Sequence, residues 1–114
     1  MTLPYHRALL PAVLNDLRTL SAEDEALIDI ALQAITDLAE HRKIGKLLGD
    51  RHVSGDLTGC RRLRFDRPDQ PAPRFRLIYR LQPDTNPDTI EIIALGPRGG
   101  HAAYQAAVAR LTDQ

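Results

Sequence analysis

The chain of 114 residues has no tryptophan, one cysteine and one methionine, and only 4% of its residues are aromatic. A single cysteine, Cys60, excludes a disulfide framework and a thiolate cluster for a metal, and it suits a reducing compartment. No apolar run comes near the roughly 20 residues of a membrane span. The opening MTLPYHRALL lacks the long apolar segment of a secretion signal. His6, His41 and His52 do not stand at ligand spacings. The expected setting is therefore cytoplasmic, with no membrane, no metal and no cofactor. Net charge is missing as well: 15 Lys+Arg balance 15 Asp+Glu. That argues against a uniformly basic nucleic-acid binder, whose affinity comes from counterion release. It leaves room for a local patch, and local charge sets local potential.

Such a patch is present. Residues 1–40 sum to −5, residues 41–57 to +2, residues 58–80 to +5 and residues 81–114 to −2. The stretch 59-GCRRLRFDR-67 alone holds four arginines in nine residues. The remaining composition, 43% hydrophobic and 26% charged, is that of an ordinary globular chain. The length fits one domain, taken as residues 1–114, with enough surface to bury for a real core.

Periodicity gives the elements. Residues 4–10 fit either a short strand or a lead into a helix. A helix is expected over 11–19, opening with Pro11 in its first turn. Ser21 reads as the N-cap of a second helix, with Glu23, Asp24 and Glu25 in its first turn, where negative charge complements the dipole. Leu27, Ala31, Ala34, Ile35 and Leu38 give that helix one apolar face. Gly45, Gly49, Gly55 and Gly59 mark an irregular segment. From Cys60 the period changes to two. In 60-CRRLRF-65, Leu63 and Phe65 face one way, Arg62 and Arg64 the other. In 74-RFRLIYRL-81, Phe75, Leu77, Tyr79 and Leu81 share one face; Arg74, Arg76, Ile78 and Arg80 share the opposite one. The segment 89-TIEIIAL-95 reads as a strand buried on both sides, closed by Gly96 and Pro97. A last helix is expected over 101–111, with Tyr104, Val108 and Leu111 on one side. The fold class is α+β: an antiparallel meander of three strands, with the N-terminal strand undecided. A helical hairpin covers one face and a C-terminal helix follows. Alternation should then gather Arg62, Arg64 and Arg76 on the face away from the hairpin.

With these elements in place, the phrases 55-GDLTGCRRLRF-65, 75-FRLIYR-80, 92-IIALGPR-98 and 104-YQAAVARL-111 resemble the RelE/ParE superfamily of bacterial toxins from toxin–antitoxin pairs. The resemblance spans about residues 5–111. It implies a small α+β toxin restrained by a cognate antitoxin. In the RelE branch it implies an endoribonuclease that cleaves messenger RNA on the ribosome and so inhibits translation. There the RNA's own 2′-hydroxyl attacks the neighbouring phosphate. Transferred residue by residue, the resemblance makes Arg62 and Arg64 RNA phosphate-binding residues, and Arg76, Arg98 and Tyr104 catalytic ones. The chemistry agrees: guanidinium groups stabilise charge on non-bridging oxygens and orient a phosphate bidentately, while a proton must leave the 2′-hydroxyl and another must reach the leaving oxygen. Two features lean toward the ParE branch, which inhibits DNA gyrase by protein–protein binding. They are arginine where RelE-like toxins often carry lysine, and the neutral charge balance. A detoxified member that only binds its antitoxin is a third reading.

Simpler readings stand beside these. Arg62, Arg64 and Arg76 also fit a solvated strand face or a surface for an antitoxin's carboxylates. Tyr104 also fits a core tyrosine with a hydrogen-bonded tip. Arg98 sits among glycines at a strand end, where it can reach a cleft. His101 can share a face with Tyr104, but it reads first as surface filler at a helix start. Cys60 reads as a small strand residue.

Overall fold

A computed structural model describes residues 2–51 and 55–113; His52 lies outside the described residues. The elements run β1 (His6–Leu9), α1 (Pro11–Glu23), α2 (Ala26–Ala39), β2 (Lys46–Leu47), β3 (Asp50–Arg51), β4 (Gly55–Asp56), β5 (Cys60–Phe65), β6 (Phe75–Gln82), β7 (Thr89–Pro97), a 3₁₀ turn (Gly99–His101) and α3 (Ala102–Thr112). None of these helices is long and apolar enough to cross a membrane.

The meander is β5–β6–β7, and it sits inside a larger sheet of order β1-β7-β6-β5-β2. The undecided N-terminal segment is a strand. It runs parallel to β7, with His6 opposite Thr89 and Leu9 opposite Ile92. The glycine-marked segment contributes β2, which puts Lys46 opposite Arg62, and a small separate pair, β3 with β4. Gly45 is needed for close approach: a Cβ there would lie 2.5 Å from the Arg62 carbonyl oxygen and 2.8 Å from the Tyr79 ring. With no side chain in the way, the Gly45 N–H donates to the buried Tyr79 hydroxyl at 2.7 Å, and Arg61 Nη1 donates to the Gly45 carbonyl at 2.9 Å. Burial raises the Tyr79 phenol above its usual pKa.

The helix boundary at Ser21 differs from expectation. Val13, Leu17 and Leu20 form one buried stripe on α1, and Leu20 is 2% exposed. Continuing that stripe carries the helix through Ser21 to Glu23, so Ser21 is internal and the chain turns at Asp24 instead. There Asp24 Oδ1 accepts the Ala26 N–H at 3.0 Å, doing for α2 what was expected of Ser21. Only Asp29 is acidic in the first turn of α2. The expected face of α2, Leu27, Ala31, Ala34, Ile35 and Leu38, is buried throughout.

The sheet has a core on each side. Toward α1 and α2 lie Phe65, Phe75, Leu77, Tyr79, Ile90, Ile92 and Leu95, with Leu63 and Leu81 partly buried beside them. Toward α3 lie Cys60, Ile78, Ile93 and Ala94, packed on Ala103, Tyr104 and Ala107. A bulge between Ile78 and Tyr79 puts Ala94 opposite the first and Ile92 opposite the second, leaving Ile93 as the extra residue. Bulges bend a strand and re-aim its side chains. Here Ile93 and Ala94 both face α3, which the alternating pattern alone does not predict.

Candidate functional site

The second face is where the arginines gather, and strand register explains how. Arg64 of β5 stands directly opposite Arg76 of β6, and Arg62 stands opposite Ile78. Across the other side of β6, Arg76 faces Gly96 of β7. Like charges directly opposite one another destabilise a sheet. That arrangement therefore needs a reason other than the fold's own stability.

α3 crosses this face and divides it. Gly96 has no side chain, and a Cβ there would already touch the Cα and Cβ of Ala103. The start of α3 settles against β7 at this ordinary van der Waals separation, which carries Tyr104 over β6. Arg76 is consequently only 7% exposed, with its guanidinium carbon 4.3 Å from the centre of the Tyr104 ring. A cation over a phenol face is attracted by the ring quadrupole. Yet Nε and Nη1 of Arg76 are buried and have no hydrogen-bond partner. Burial pushes the Arg76 guanidinium below its ordinary pKa. Tyr104 works in the opposite direction, and the charges of Arg62, Arg64 and Arg98 add to the depression. The structure brings Arg76 and Tyr104 into contact, while Arg64 lines a cavity with Lys43, Phe65 and Asp66 and Arg98 lines a separate one with Pro73, Arg74 and Pro97.

Most of the other described arginines are paired with a carboxylate, Arg18 and Arg61 excepted: Arg7, Arg42, Arg67, Arg74, Arg80 and Arg110 each form an ion pair. Among the described residues no ion pair engages Arg62, Arg64, Arg76 or Arg98. Arg98 is exposed just beyond β7; its backbone N–H donates to the Arg74 carbonyl at 2.7 Å, and Nη1 reaches the Pro73 carbonyl at 3.4 Å. Tyr104 is 1% exposed, so its ring serves as the floor beneath Arg76.

Sequence reasoning missed the groups that hold this floor in place. Arg110 of α3 makes a two-pronged contact with Asp16 of α1, at 2.6 and 2.8 Å, and also donates to the Ile93 carbonyl at 2.9 Å. The same Asp16 accepts the Leu95 N–H at 3.0 Å. One carboxylate thus ties both outer helices to β7. A partner 94 positions away leaves no trace in local pattern. Arg74, placed by alternation with Arg76, lies before the strand and pairs with Asp66 at 2.7 Å. Hydrogen bonds from Arg74 and Arg67 hold the Asp66 carboxyl below its usual range. His101, read as surface filler, has its Nδ1 buried without a partner and its ring stacked on Tyr104, with centroids 5.9 Å apart. The doublet Gly99–Gly100 was the available signal, since it announces an unusual backbone just before His101.

Residues 8–101 match the family described as ParE toxin of type II toxin-antitoxin system, parDE. Among solved structures, the free state of an arginine-to-alanine double mutant of the Escherichia coli toxin RelE superposes with a TM-score of 0.60 at 17% identity, covering 96% of this chain and 99% of that one. The RelBE2 toxin–antitoxin complex from Mycobacterium tuberculosis gives a TM-score of 0.52 at 23% identity, covering 86% of this chain and 95% of that one. These two likenesses establish a shared fold. No curated protein matches the chain.

Proposed function

This chain belongs to the ParE toxin family of type II toxin–antitoxin systems, and we propose that it is an endoribonuclease acting on ribosome-bound messenger RNA. One observation carries the reading: a buried guanidinium, Arg76, with two unpartnered nitrogens, inside a field made by three more arginines that no carboxylate neutralises. Natural structures satisfy buried polar groups, and an exception calls for an explanation. A phosphodiester supplies one. Its charge relieves the repulsion among the arginines, and its non-bridging oxygens accept from guanidinium N–H groups.

In this reading Arg62 and Arg64 hold the RNA backbone along β5. Arg76 and Arg98 grip the scissile phosphate and stabilise the extra charge of the pentacoordinate state. That charge develops in a pocket whose donors are already in place, the condition under which hydrogen-bond donors accelerate most. Tyr104 fixes Arg76 from below and takes part in proton transfer through its contact with that cation. The products are a 2′,3′-cyclic phosphate and a 5′-hydroxyl. The same four unpaired cations suit the carboxylates of a cognate antitoxin, which would switch the enzyme off by occupying the pocket. The working compartment is the cytoplasm, where ribosomes and message meet.

The test is cleavage of message on purified translating ribosomes, mapped by primer extension. The reading expects breaks within codons for the wild type and none for Arg98→Ala. A second reading, inhibition of DNA gyrase by direct binding, is favoured by the ParE family match and by the zero net charge. It expects intact message and gyrase-linked DNA breaks in the same cells. A protein that does neither, and leaves growth unaffected on induction, has kept only its antitoxin surface.

A further inference from the structure

A second place in the molecule combines opposite charges that do not meet. A cavity of about 370 Å³ opens where β6 begins and β7 ends, with Ala72, Pro73 and Pro97 among its apolar walls. Arg98 and Glu23 both line it, yet among the described residues no ion pair or hydrogen bond joins them. Arg74, the third charged group there, is already bound to Asp66 through Nε at 2.7 Å and Nη2 at 3.1 Å. The cavity therefore keeps one carboxylate and one guanidinium that have no charged partner, set among apolar walls. Ligand sites have this composition: mostly apolar, with a few convergent polar groups.

Nothing in the fold's own stability asks for Glu23. It is exposed and is the last residue of α1, at the end of a helix where the dipole favours cations. Among the described residues no hydrogen bond or ion pair engages it. Arg98 is set at the cavity by its backbone. Its N–H donates to the Arg74 carbonyl at 2.7 Å, and the left-handed Gly100 (φ 64°) and His101 (φ 56°) then turn the chain away into α3. That leaves Arg98 exposed, with Nη1 3.4 Å from the Pro73 carbonyl oxygen. The buried cation is close by: Gly96, two residues before Arg98, stands opposite Arg76, and the charge of Arg98 is felt there.

Single-stranded RNA is read by splaying a base out of its stack and meeting its edge with polar side chains. A flat ring suits apolar walls, and a carboxylate accepts two hydrogen bonds side by side. Guanine presents two adjacent N–H donors on one edge, N1 and the 2-amino group, and meets such an acceptor with both. Adenine and cytosine set an acceptor nitrogen beside their amino group. Uracil sets a carbonyl on each side of its one N–H. Each of these three would bring a lone pair against the carboxylate. We propose that Glu23 is a specificity-determining residue: the cavity takes a guanine flanking the scissile phosphate, Glu23 accepts from its N1 and 2-amino groups, and Arg98 binds the phosphate. The inference rests on the endoribonuclease reading above, and it adds to that reading which base is chosen and by which side chain.

The experiment maps cuts in ribosome-bound messages whose two nucleotides flanking the cut are varied through all four bases. Wild-type protein should prefer guanine on one side of the cut by about 10- to 100-fold over adenine, the range for one two-pronged base contact. Inosine at that position lacks the 2-amino group and should be cut about 10-fold more slowly than guanine. Glu23→Ala puts a good helix former at an exposed position, so the fold should persist. It should cut the guanine, inosine and adenine messages at rates within about threefold of one another. The readout is a ratio between messages, so a partial loss of folded protein does not move it. Wild-type cuts with no preference for guanine on either side would overturn the inference and leave the endoribonuclease reading standing. A guanine preference that survives in Glu23→Ala would do the same. If wild-type protein cuts none of the messages, the endoribonuclease reading itself falls and takes this inference with it.

Discussion

The two faces of the sheet are built from the same strands and end in opposite chemistry. Toward α1 and α2, every inward position of β6 is apolar, and Leu77 is 0% exposed while Tyr79 is 2% exposed. Toward α3, β6 presents Arg76, Ile78 and Arg80 in turn. Ile78 and Arg76 are both covered by α3, while Arg80 pairs with Glu91 at 2.6 Å. The hairpin face satisfies every demand of a core. The α3 face places a buried cation with unpaired nitrogens directly opposite Arg64. One side of the sheet is arranged for stability, and on the other a buried cation stands without hydrogen-bond partners for two of its nitrogens.

If that division holds, removing apolar bulk from the hairpin face should have the largest effect on folding. Leu77→Ala leaves a cavity where β6 meets the helices and should lower stability by about 3–4 kcal/mol. The unfolding midpoint should drop by roughly 10–20 °C. Activity per folded molecule should stay near wild type, because Leu77 points away from the pocket. A Leu77→Ala protein with an unchanged midpoint would show that the hairpin face is not the stabilising one.

Next in size is the joint between the faces. Asp16→Ala strips Arg110 of its two-pronged partner and leaves the Leu95 N–H without its acceptor. Breaking a partly buried pair in this way should cost about 2–3 kcal/mol. Because Arg110 anchors α3, the Tyr104 floor should loosen as well, so this variant should lose activity beyond its loss of folded protein. Hydrogen exchange concentrated in α3 would locate the damage.

Smaller again is the effect of acid on Asp66, whose side chain is 2% exposed and bound by Arg74. Its folded pKa lies below the ordinary value of 3.8. A depressed carboxylate adds stability above its unfolded pKa, and that stability disappears as pH falls through the folded value. Thermal stability should therefore hold between pH 7 and pH 5 and decline steeply below about pH 4. Asp66→Asn should cost about 1 kcal/mol at neutral pH and make the acid decline shallower. An unchanged acid slope in the variant would assign that decline to other carboxylates.

Legibility followed the same division. The stripe Leu27, Ala31, Ala34, Ile35 and Leu38 could be read directly because one helix face meets one sheet face, and period then reports burial. The strands Cys60–Phe65 and Phe75–Gln82 came out within a residue of expectation because their alternation is uninterrupted. Ser21 misled because a good capping residue says nothing about whether the apolar stripe behind it has ended. The α3 face was only half legible. Alternation placed Arg62, Arg64 and Arg76 on it, but the cover supplied by α3 depends on the Ile93 bulge and on the Asp16–Arg110 contact, and both are long-range. The strain at His101 was hidden for a further reason: a left-handed histidine is set by the tertiary position of its helix, and its sequence neighbours record only that glycines precede it.

The smallest stability change should come with a large loss of function, and it bears on the comparison most directly. Arg76→Met keeps the length of the side chain and its contact with Tyr104 while removing the charge. On the hairpin face an equivalent change of chemistry would be ruinous. Here it removes a desolvated cation that repels Arg62, Arg64 and Arg98, so stability should stay within about 1 kcal/mol of wild type and can rise. Cleavage of ribosome-bound message should fall about 100- to 1,000-fold, the range for losing one preorganised donor to a developing oxyanion. Inorganic phosphate supplies a second readout that needs no ribosome. A ligand that binds only the folded state raises the unfolding midpoint by mass action. Phosphate should stabilise the wild type in proportion to its occupancy of the pocket and should stabilise Arg76→Met much less. If Arg76→Met instead unfolds the protein as readily as Leu77→Ala does, the cation belongs to the core. The two faces would then be alike, and the pocket would no longer explain why its nitrogens stand unpaired.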